Sequence, residues 1–385
     1  MDYVKVLSDL VSMDTIVPPG RNYEKAIDYL NPLFKQMGCE TEKVRIPKEF
    51  CNNQDGRFNL IANRRNSGKQ RLIIYTHVDV VPGEGWDAFT PRIVEGKMYG
   101  RGATDDKGNI VAALMALEKL KDKALKYDLT AIVTVDEEES HGLQNEIRFI
   151  RSYLEPVKGA YFMALDCPFG AVNIASQGSL AMEIRVLGKS VHQGRAYLGE
   201  NAVENAIKLC QPLLKLGQEI PKRKSQIPAS PDYGIPFMQG NLSITMIHGG
   251  VKVNIVPDEC IFWIGRRIMP EEDKAAVEKE VMDALCSVPG VRWEVKSRRI
   301  MQTRPSFAEP ITDELAAIIK DVTGHTGKYG MMGGLPLEPV TNEWNAILFG
   351  TGLGHPDSNA HGKEESVYLK DIEALAEIIT RFVAA

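Results

Sequence analysis

An α/β fold is predicted, with a doubly wound, mostly parallel sheet interrupted by an inserted α+β domain. Three observations predict it. Near-continuous apolar runs of strand length alternate with amphipathic helical runs from the start of the chain to about Gln177. Beyond Gln177 the strands turn to alternating polarity, as antiparallel sheets do, and from about Met301 the first pattern resumes. The 385 residues are too many for one ordinary core and suit two domains.

The elements follow in order. Val4 to Val11 reads as a short amphipathic helix, and Glu24 to Met37 as another, with Ile27, Leu30, Leu33 and Phe34 on one face. "NLIANR" and "RLIIYTHVDVV" read as strands. "KGNIVAALMALEKLKD" is a helix, because Ile110, Val111, Leu114, Leu117 and Leu120 recur at three and four. "LTAIVTVD" and "AYFMALD" are strands of the kind found where both faces of a sheet are covered. In the second region "LAMEIRVLGKSV" is a strand and "ENAVENAIKLCQPLLKLG" a helix. "NLSITMIHGG" and "VKVNIVPDECIFWIGRR" are two strands joined at Gly249-Gly250. "PEEDKAAVEKEVMDALCSV" is a helix opened by Pro270 and acids, and "VRWEVKSRR" closes a β-α-β-β-α-β order. Gln218 to Gly240 is a proline-punctuated loop. "DELAAIIKDVTG", "AILFG" and "KDIEALAEIITRFVAA" complete the first domain. The expected bounds are 1–177 with 300–385 for the discontinuous domain and 178–299 for the insert.

Composition narrows the function. Apolar residues make up 44 % and charged residues 25 %, an ordinary globular balance, and the net charge of −5 argues against a nucleic-acid partner. No apolar stretch reaches the roughly 18 residues of a membrane span, and the acidic N-terminus lacks a secretory leader pattern. Cys39, Cys51, Cys167, Cys210, Cys260 and Cys286 form no CxxC pair, so they read as reduced thiols, mostly buried, of a cytoplasmic protein.

The chemistry gathers at strand ends, where open α/β sheets build their sites. "IIYTHVDVV" supplies His77 and Asp79, and "MYGRGATDDKG" supplies Asp105 and Asp106. "IVTVDEEE" supplies Asp136 to Glu139, "FMALD" supplies Asp166, and "GTGLGHPDSNAHGKEES" adds His355 and His361. A run of acids is ordinarily a solvated loop, and a single acid after a strand is commonly a helix cap. Here imidazoles and carboxylates recur in order, each at a strand end and without thiolates. That set suits a divalent ion such as zinc, cobalt or manganese. Two ions would account for so many acids, since cations stabilise carboxylates that otherwise repel.

"THVDVVP", "YGRGATDDKG", "VDEEES", "ALD" and "AHGKEESV" together resemble the metal-binding blocks of the dinuclear-zinc exopeptidase and deacylase family. Its members include acetylornithine deacetylase, succinyl-diaminopimelate desuccinylase, aminoacylase-1, carnosinases and glutamate carboxypeptidase. The resemblance runs over nearly the whole chain, insert included. It implies that His77, Asp105 and Asp166 hold one metal, and that Asp105, Glu138 and His361 hold the second. It implies that Asp79 orients the His77 ring and that Glu137 is the general base. His361 is favoured over His355 because "AHGKEES" fits a His-Gly-x-x-Glu block with Glu365 as its acid. Asp136 is then a local structural carboxylate, Glu139 solvated, His141 a surface residue and Asp106 a helix cap.

The insert carries further marks of the family. "GKSVHQG" puts His192 where relatives polarise the scissile carbonyl, often across a dimer. Asn254 and Arg267 match residues that relatives use for a substrate carboxylate, a geometry an arginine fork suits. Gly265 stands where an Asp is usual, and "GGLPLEP" has Leu335 and Pro336 in place of Thr and Asp. The implied activity is hydrolysis of an amide bond in a small N-acyl amino acid, with a dipeptidase or carboxypeptidase acting on short peptides as the alternative. A non-catalytic metal-dependent binding protein is the remote alternative. The implied assembly is a homodimer through the insert.

Overall fold

The computed structural model describes residues 1–385 except 52, 67, 140, 307, 308 and 326, and leaves the side chains of 141 and 142 outside the described set. The surface position expected of the His141 side chain therefore lies outside the described residues. In chain order the first elements are α1 (Tyr3–Val11), α2 (Tyr23–Gln36), β1 (Glu40–Arg45), β2 (Phe58–Arg64), β3 (Arg71–His77), β4 (Arg92–Val94) and β5 (Lys97–Tyr99). They continue with α3 (Lys107–Leu120), β6 (Asp128–Thr134), α4 (His141–Leu154), β7 (Tyr161–Ala164) and β8 (Val172–Ser176). Then come β9 (Gly178–Leu187), β10 (Val191–His192), α5 (Ala202–Glu219), β11 (Asn241–Gly249), β12 (Ile255–Val256), β13 (Glu259–Ile268), α6 (Lys274–Cys286) and β14 (Arg292–Met301). The chain closes with α7 (Pro310–Thr323), β15 (Lys328–Met331), α8 (Glu338–Asn342), β16 (Ile347–Gly350), β17 (Ser366–Tyr368) and α9 (Leu369–Val383).

Two compact units result. One comprises Met1–Ala175, Arg304–Met331 and Leu335–Ala385; the other comprises Ser176–Thr303 and Met332–Gly334. The main sheet of the first runs β1-β2-β6-β3-β7-β16-β8-β15. Its centre is parallel, with β3 beside β6 and β7, and β16 beside β7. β2 joins β6, and β8 joins β16, in the antiparallel sense, so the sheet is mixed. Every residue of β3 is buried, which is why its sequence is apolar without alternation. One face packs Ile73, Tyr75, Ile132 and Phe162 against Leu143, Ile147, Ile150 and Leu154 of α4 and against Val340 and Trp344 in and beside α8. α3 lies against β3, with α9 and α1 beside it.

The second unit is an antiparallel sheet in the order β11-β13-β9-β14. α5 and α6 cover it through Ala206, Leu209, Leu213, Val277, Val281 and Leu285. One sequence expectation fails here. "VKVN" is not strand, and Val251 and Val253 are 90 % and 95 % exposed. Among the described residues their alternation has no sheet neighbour to pair with, and β13 starts only at Glu259.

Candidate metal centre

Register explains how distant residues meet. In the β3–β6 pair His77 lies opposite Thr134, and in the β3–β7 pair Tyr75 lies opposite Ala164. The three strands therefore end at one edge, and the residues that follow, Asp79, Glu137, Glu138 and Asp166, emerge side by side. Asp105 arrives from the turn before α3. His361 arrives from the long connection between β16 and β17. That connection is drawn in at Gly352, where a Cβ would overlap the Leu165 carbonyl.

Two triads form. Ligand atoms of His77, Asp105 and Asp166 all lie within 4.8 Å of one another, as do those of Asp105, Glu138 and His361. Nε2 of His77 is 3.2 Å from Asp105 Oδ1, and Nε2 of His361 is 3.0 Å from Asp105 Oδ2 and 3.1 Å from Glu138 Oε1. Asp105 is thus common to both. Glu137 is buried and belongs to neither.

The surroundings hold these side chains firmly. The His77 ring has Nδ1 3.4 Å from Asp79 Oδ1, while Asp79 Oδ2 accepts the Glu138 backbone N–H at 2.9 Å. Asp79 therefore links two of the converging segments. Asp106 stands at the start of α3, but its carboxylate does not cap the helix. It accepts the His77 backbone N–H at 2.9 Å and the Asn109 side chain, so the cap expected from sequence is replaced by a brace on His77. Asp136 accepts from Tyr23 Oη and from Arg57 Nε, each at 2.9 Å, in a backbone conformation of φ 57°. Glu139 is half-buried, not solvated. His355 pairs with Asp357 at 2.5 Å and meets the Tyr368 ring edge-on.

The electrostatics reflect crowded carboxylates. Burial pushes Asp166 up to about 7, with the Asp105 charge adding to it. Burial likewise raises Glu137 well above the ordinary range, and raises Glu138 with help from Asp105. For Asp105 burial acts upward, but His361 and His77 bring it below the ordinary value. Asp105 and Glu138 raise His361 to about 11. Burial disfavours the His77 cation, yet Asp105 and Asp79 hold its pKa well above the usual imidazole range. The buried Nε2 of His77 faces Asp105 Oδ1 at 3.2 Å without good hydrogen-bond geometry. An imidazole nitrogen facing carboxylate oxygens that repel one another fits a site for divalent cations.

The comparisons with known proteins agree in kind. Residues 73–385 match the peptidase family M20/M25/M40. The chain belongs to that family. A probable succinyl-diaminopimelate desuccinylase of Staphylococcus aureus is 25 % identical over 344 residues, covering 83 % of this chain and 81 % of that protein. An M20 family metallo-carboxypeptidase of Sulfolobus solfataricus superposes with a TM-score of 0.77 at 16 % identity, covering 99 % of this chain and 98 % of that one. A dinuclear metal binding peptidase of the family from Bacillus subtilis superposes with a TM-score of 0.63 at 13 % identity, covering 98 % and 97 %. This family member is accordingly a metallohydrolase acting on amide bonds.

The remaining sequence-predicted residues lie in the second unit. His192 is exposed and pairs across the β10–β12 ladder with Ile255, while Gln193 donates its N–H to the Asn254 carbonyl at 3.0 Å. These two are therefore neighbours. The His192 Nδ1 accepts the Gly194 N–H at 3.1 Å, a contact that in the neutral ring puts the proton on Nε2. Arg267 stands near the other end of β13, exposed, with its guanidinium beside Gly334. Arg266 is buried against Glu272 at 2.5 Å, so the two arginines have separate tasks. In "GGLPLEP", Gly333 accepts the Gln177 N–H. Leu335 and Leu337 enter the core under α4, which gives the departure a packing role. Sequence reasoning missed the helix α4, although Leu143, Ile147, Ile150 and Leu154 carry its period. It also missed Arg57 and Arg101, whose partners lie far away in the chain.

Proposed function

We propose that the chain hydrolyses the amide bond of a small N-acyl amino acid, with Glu137 as general base, His77, Asp105 and Asp166 holding one ion, and Asp105, Glu138 and His361 holding a second. Zinc is the proposed ion, with cobalt or manganese as substitutes. The observation that carries this reading is Glu137 itself: a buried carboxyl beside both triads, outside each, with its pKa raised by burial. A carboxyl held there is placed to take a proton from a water between the triads and to return it to a leaving group. Two divalent ions, when bound, supply water activation and Lewis-acid polarisation of the carbonyl. Glu137 accepts the proton of the attacking water and hands it to the departing nitrogen. Asp79 keeps the His77 ring in place through Nδ1.

The neutral, Nε2–H form of His192 is suited to donating to the substrate carbonyl. Arg267 and Asn254 are proposed for a substrate carboxylate. The second unit is also proposed to pair two copies of the chain. Met246 and Ile247 on the edge strand β11, and Tyr197, Val251 and Val253 nearby in sequence to His192 and Asn254, support this by their exposure. The reaction is proposed to occur in the cytoplasm. Among the described residues no helix is long and apolar enough to cross a membrane.

The desuccinylase relative makes N-acyl amino acids the first substrate class, and short peptides are the second because the same base and carboxylate contacts serve both. The test is amine release from a panel of N-acetyl and N-succinyl amino acids and dipeptides, with zinc, cobalt or manganese and with Glu137→Ala as control. Turnover of one class, lost in the control, is expected. Equal turnover by Glu137→Ala would remove Glu137 from the chemistry.

A further inference from the structure

Asp105 and His361 carry the second triad, and one buried ion pair reaches the backbone of both. Arg101 and Glu365, 264 residues apart, meet at 2.6 Å with 2 % and 0 % of their side chains exposed. Glu365 Oε2 also accepts the Gly102 N–H at 3.1 Å, while Oε1 accepts the N–H groups of Thr104 at 3.0 Å and Asp105 at 3.1 Å. The turn that delivers Asp105 is thus gathered on a single carboxylate. The other tine of the Arg101 fork, Nη2, donates to the carbonyls of His361 at 3.1 Å, Gly362 at 2.9 Å and Pro82 at 3.3 Å. His361 holds φ 62°, a conformation non-glycine residues seldom adopt without outside support. Arg101 supplies that support at the residue's own carbonyl.

This arrangement is poorly explained by stability alone. A buried ion pair carries a large desolvation cost, and here Arg101 Nε is buried with no hydrogen-bond partner among the described residues. What the pair does provide is registration of two loops that come from opposite ends of the chain. Neither His77 nor Asp166 is touched by it. They are set by β3 and by the turn after β7, with Asp79 and Asp106 bracing His77.

We propose that Arg101 and Glu365 are positioning residues for the second ion, fixing the separation of Asp105 and His361 so that this ion's affinity depends on the Arg101 fork. The proposal rests on the two-ion reading above. A lysine at position 101 keeps the charge but holds one partner where the fork holds two. The turn before α3 and the His361 loop then drift apart, and the triad of Asp105, Glu138 and His361 opens. The first ion keeps His77 and Asp166 in their places.

The test is calorimetric titration with zinc of the whole chain, stripped by a chelator, as wild type, Arg101→Lys and Glu365→Gln. Arg266→Lys, which alters a buried arginine paired with Glu272 in the other unit, is the control. Wild type and control are expected to bind two ions. Both test variants are expected to bind the first ion within about threefold of wild type and the second about 10- to 100-fold more weakly, the range typical of groups that orient ligands. Circular dichroism checks folding. Two wild-type affinities in the folded variants would overturn the proposal, as would equal weakening of both ions. Failure of both conservative variants to fold, even with zinc present, would assign the pair to stability and overturn it too. A wild type that binds fewer than two ions would instead overturn the two-ion reading.

Discussion

Asp136 and the pair Glu137–Glu138 leave the same strand end, and their surroundings differ in the source of positive charge. Asp136 turns toward Arg57 and Tyr23, which occupy its two oxygens. Arg57 is 2 % exposed and Asp136 1 %, so this is an internal, closed ion pair. Glu137 and Glu138 lie toward Asp105, where the cationic groups that act on them are the His77 and His361 imidazoles. Burial, and then the neighbouring carboxylates, push these groups up, Asp166 to about 7. The comparison separates three acids of the run: Asp136 is balanced by an arginine of the same chain, while Glu137 and Glu138 lie among the carboxylates and imidazoles of the two candidate triads.

Breaking each side should give distinct results. The largest effect is expected for Asp105→Asn, which removes the ligand common to both triads. Both ions should be lost and turnover should fall to background, with the fold retained; elemental analysis and an activity assay check this. The next is Arg57→Met, which leaves Asp136 buried without its cation. A loss of about 3–5 kcal/mol in unfolding free energy is expected, the usual result of removing one partner of a buried pair. Urea unfolding measures it, and metal content of the folded fraction should be unchanged.

A smaller effect sharpens the comparison through pH. Glu146 is fully buried beside Asp136, and burial, then the Asp136 charge, raise its pKa well above the usual glutamate value. The folded form thus holds this proton when the unfolded chain has released it. The stabilisation is complete below the ordinary value of 4.5 and declines as pH rises toward the raised folded value. The slope is at most about 1.4 kcal/mol per pH unit. Glu146→Gln should flatten that part of the stability–pH curve, and parallel curves for the two proteins would contradict the assignment.

The places of His77, Glu138 and Asp166 were legible in the amino-acid order, because buried parallel strands need unbroken apolar runs and these residues follow those runs closely. Asp105 and His361 end no such strand, and they were picked out by the resemblance of "YGRGATDDKG" and "AHGKEESV" to the family's blocks. The sheet order that brings β6, β3 and β7 together was not, since adjacency depends on packing between whole elements. Asp106 looked like a helix cap because local spacing cannot show a hydrogen bond to His77, 29 residues away. Arg57 and Arg101 were passed over for the same reason: their partners are separated by 79 and 264 residues. "VKVN" failed in the opposite way, having the right alternation but, among the described residues, no neighbouring strand.

The division of labour at the end of β6 is the central claim, and metal content of Glu137→Ala and Glu138→Ala, measured beside their turnover, tests it most directly. Glu137→Ala should keep both ions and lose turnover by about 10²- to 10⁴-fold, the usual contribution of a general base. Glu138→Ala should lose one ion. Loss of an ion from Glu137→Ala, with Glu138→Ala fully loaded, would contradict the account and exchange the roles of the two acids.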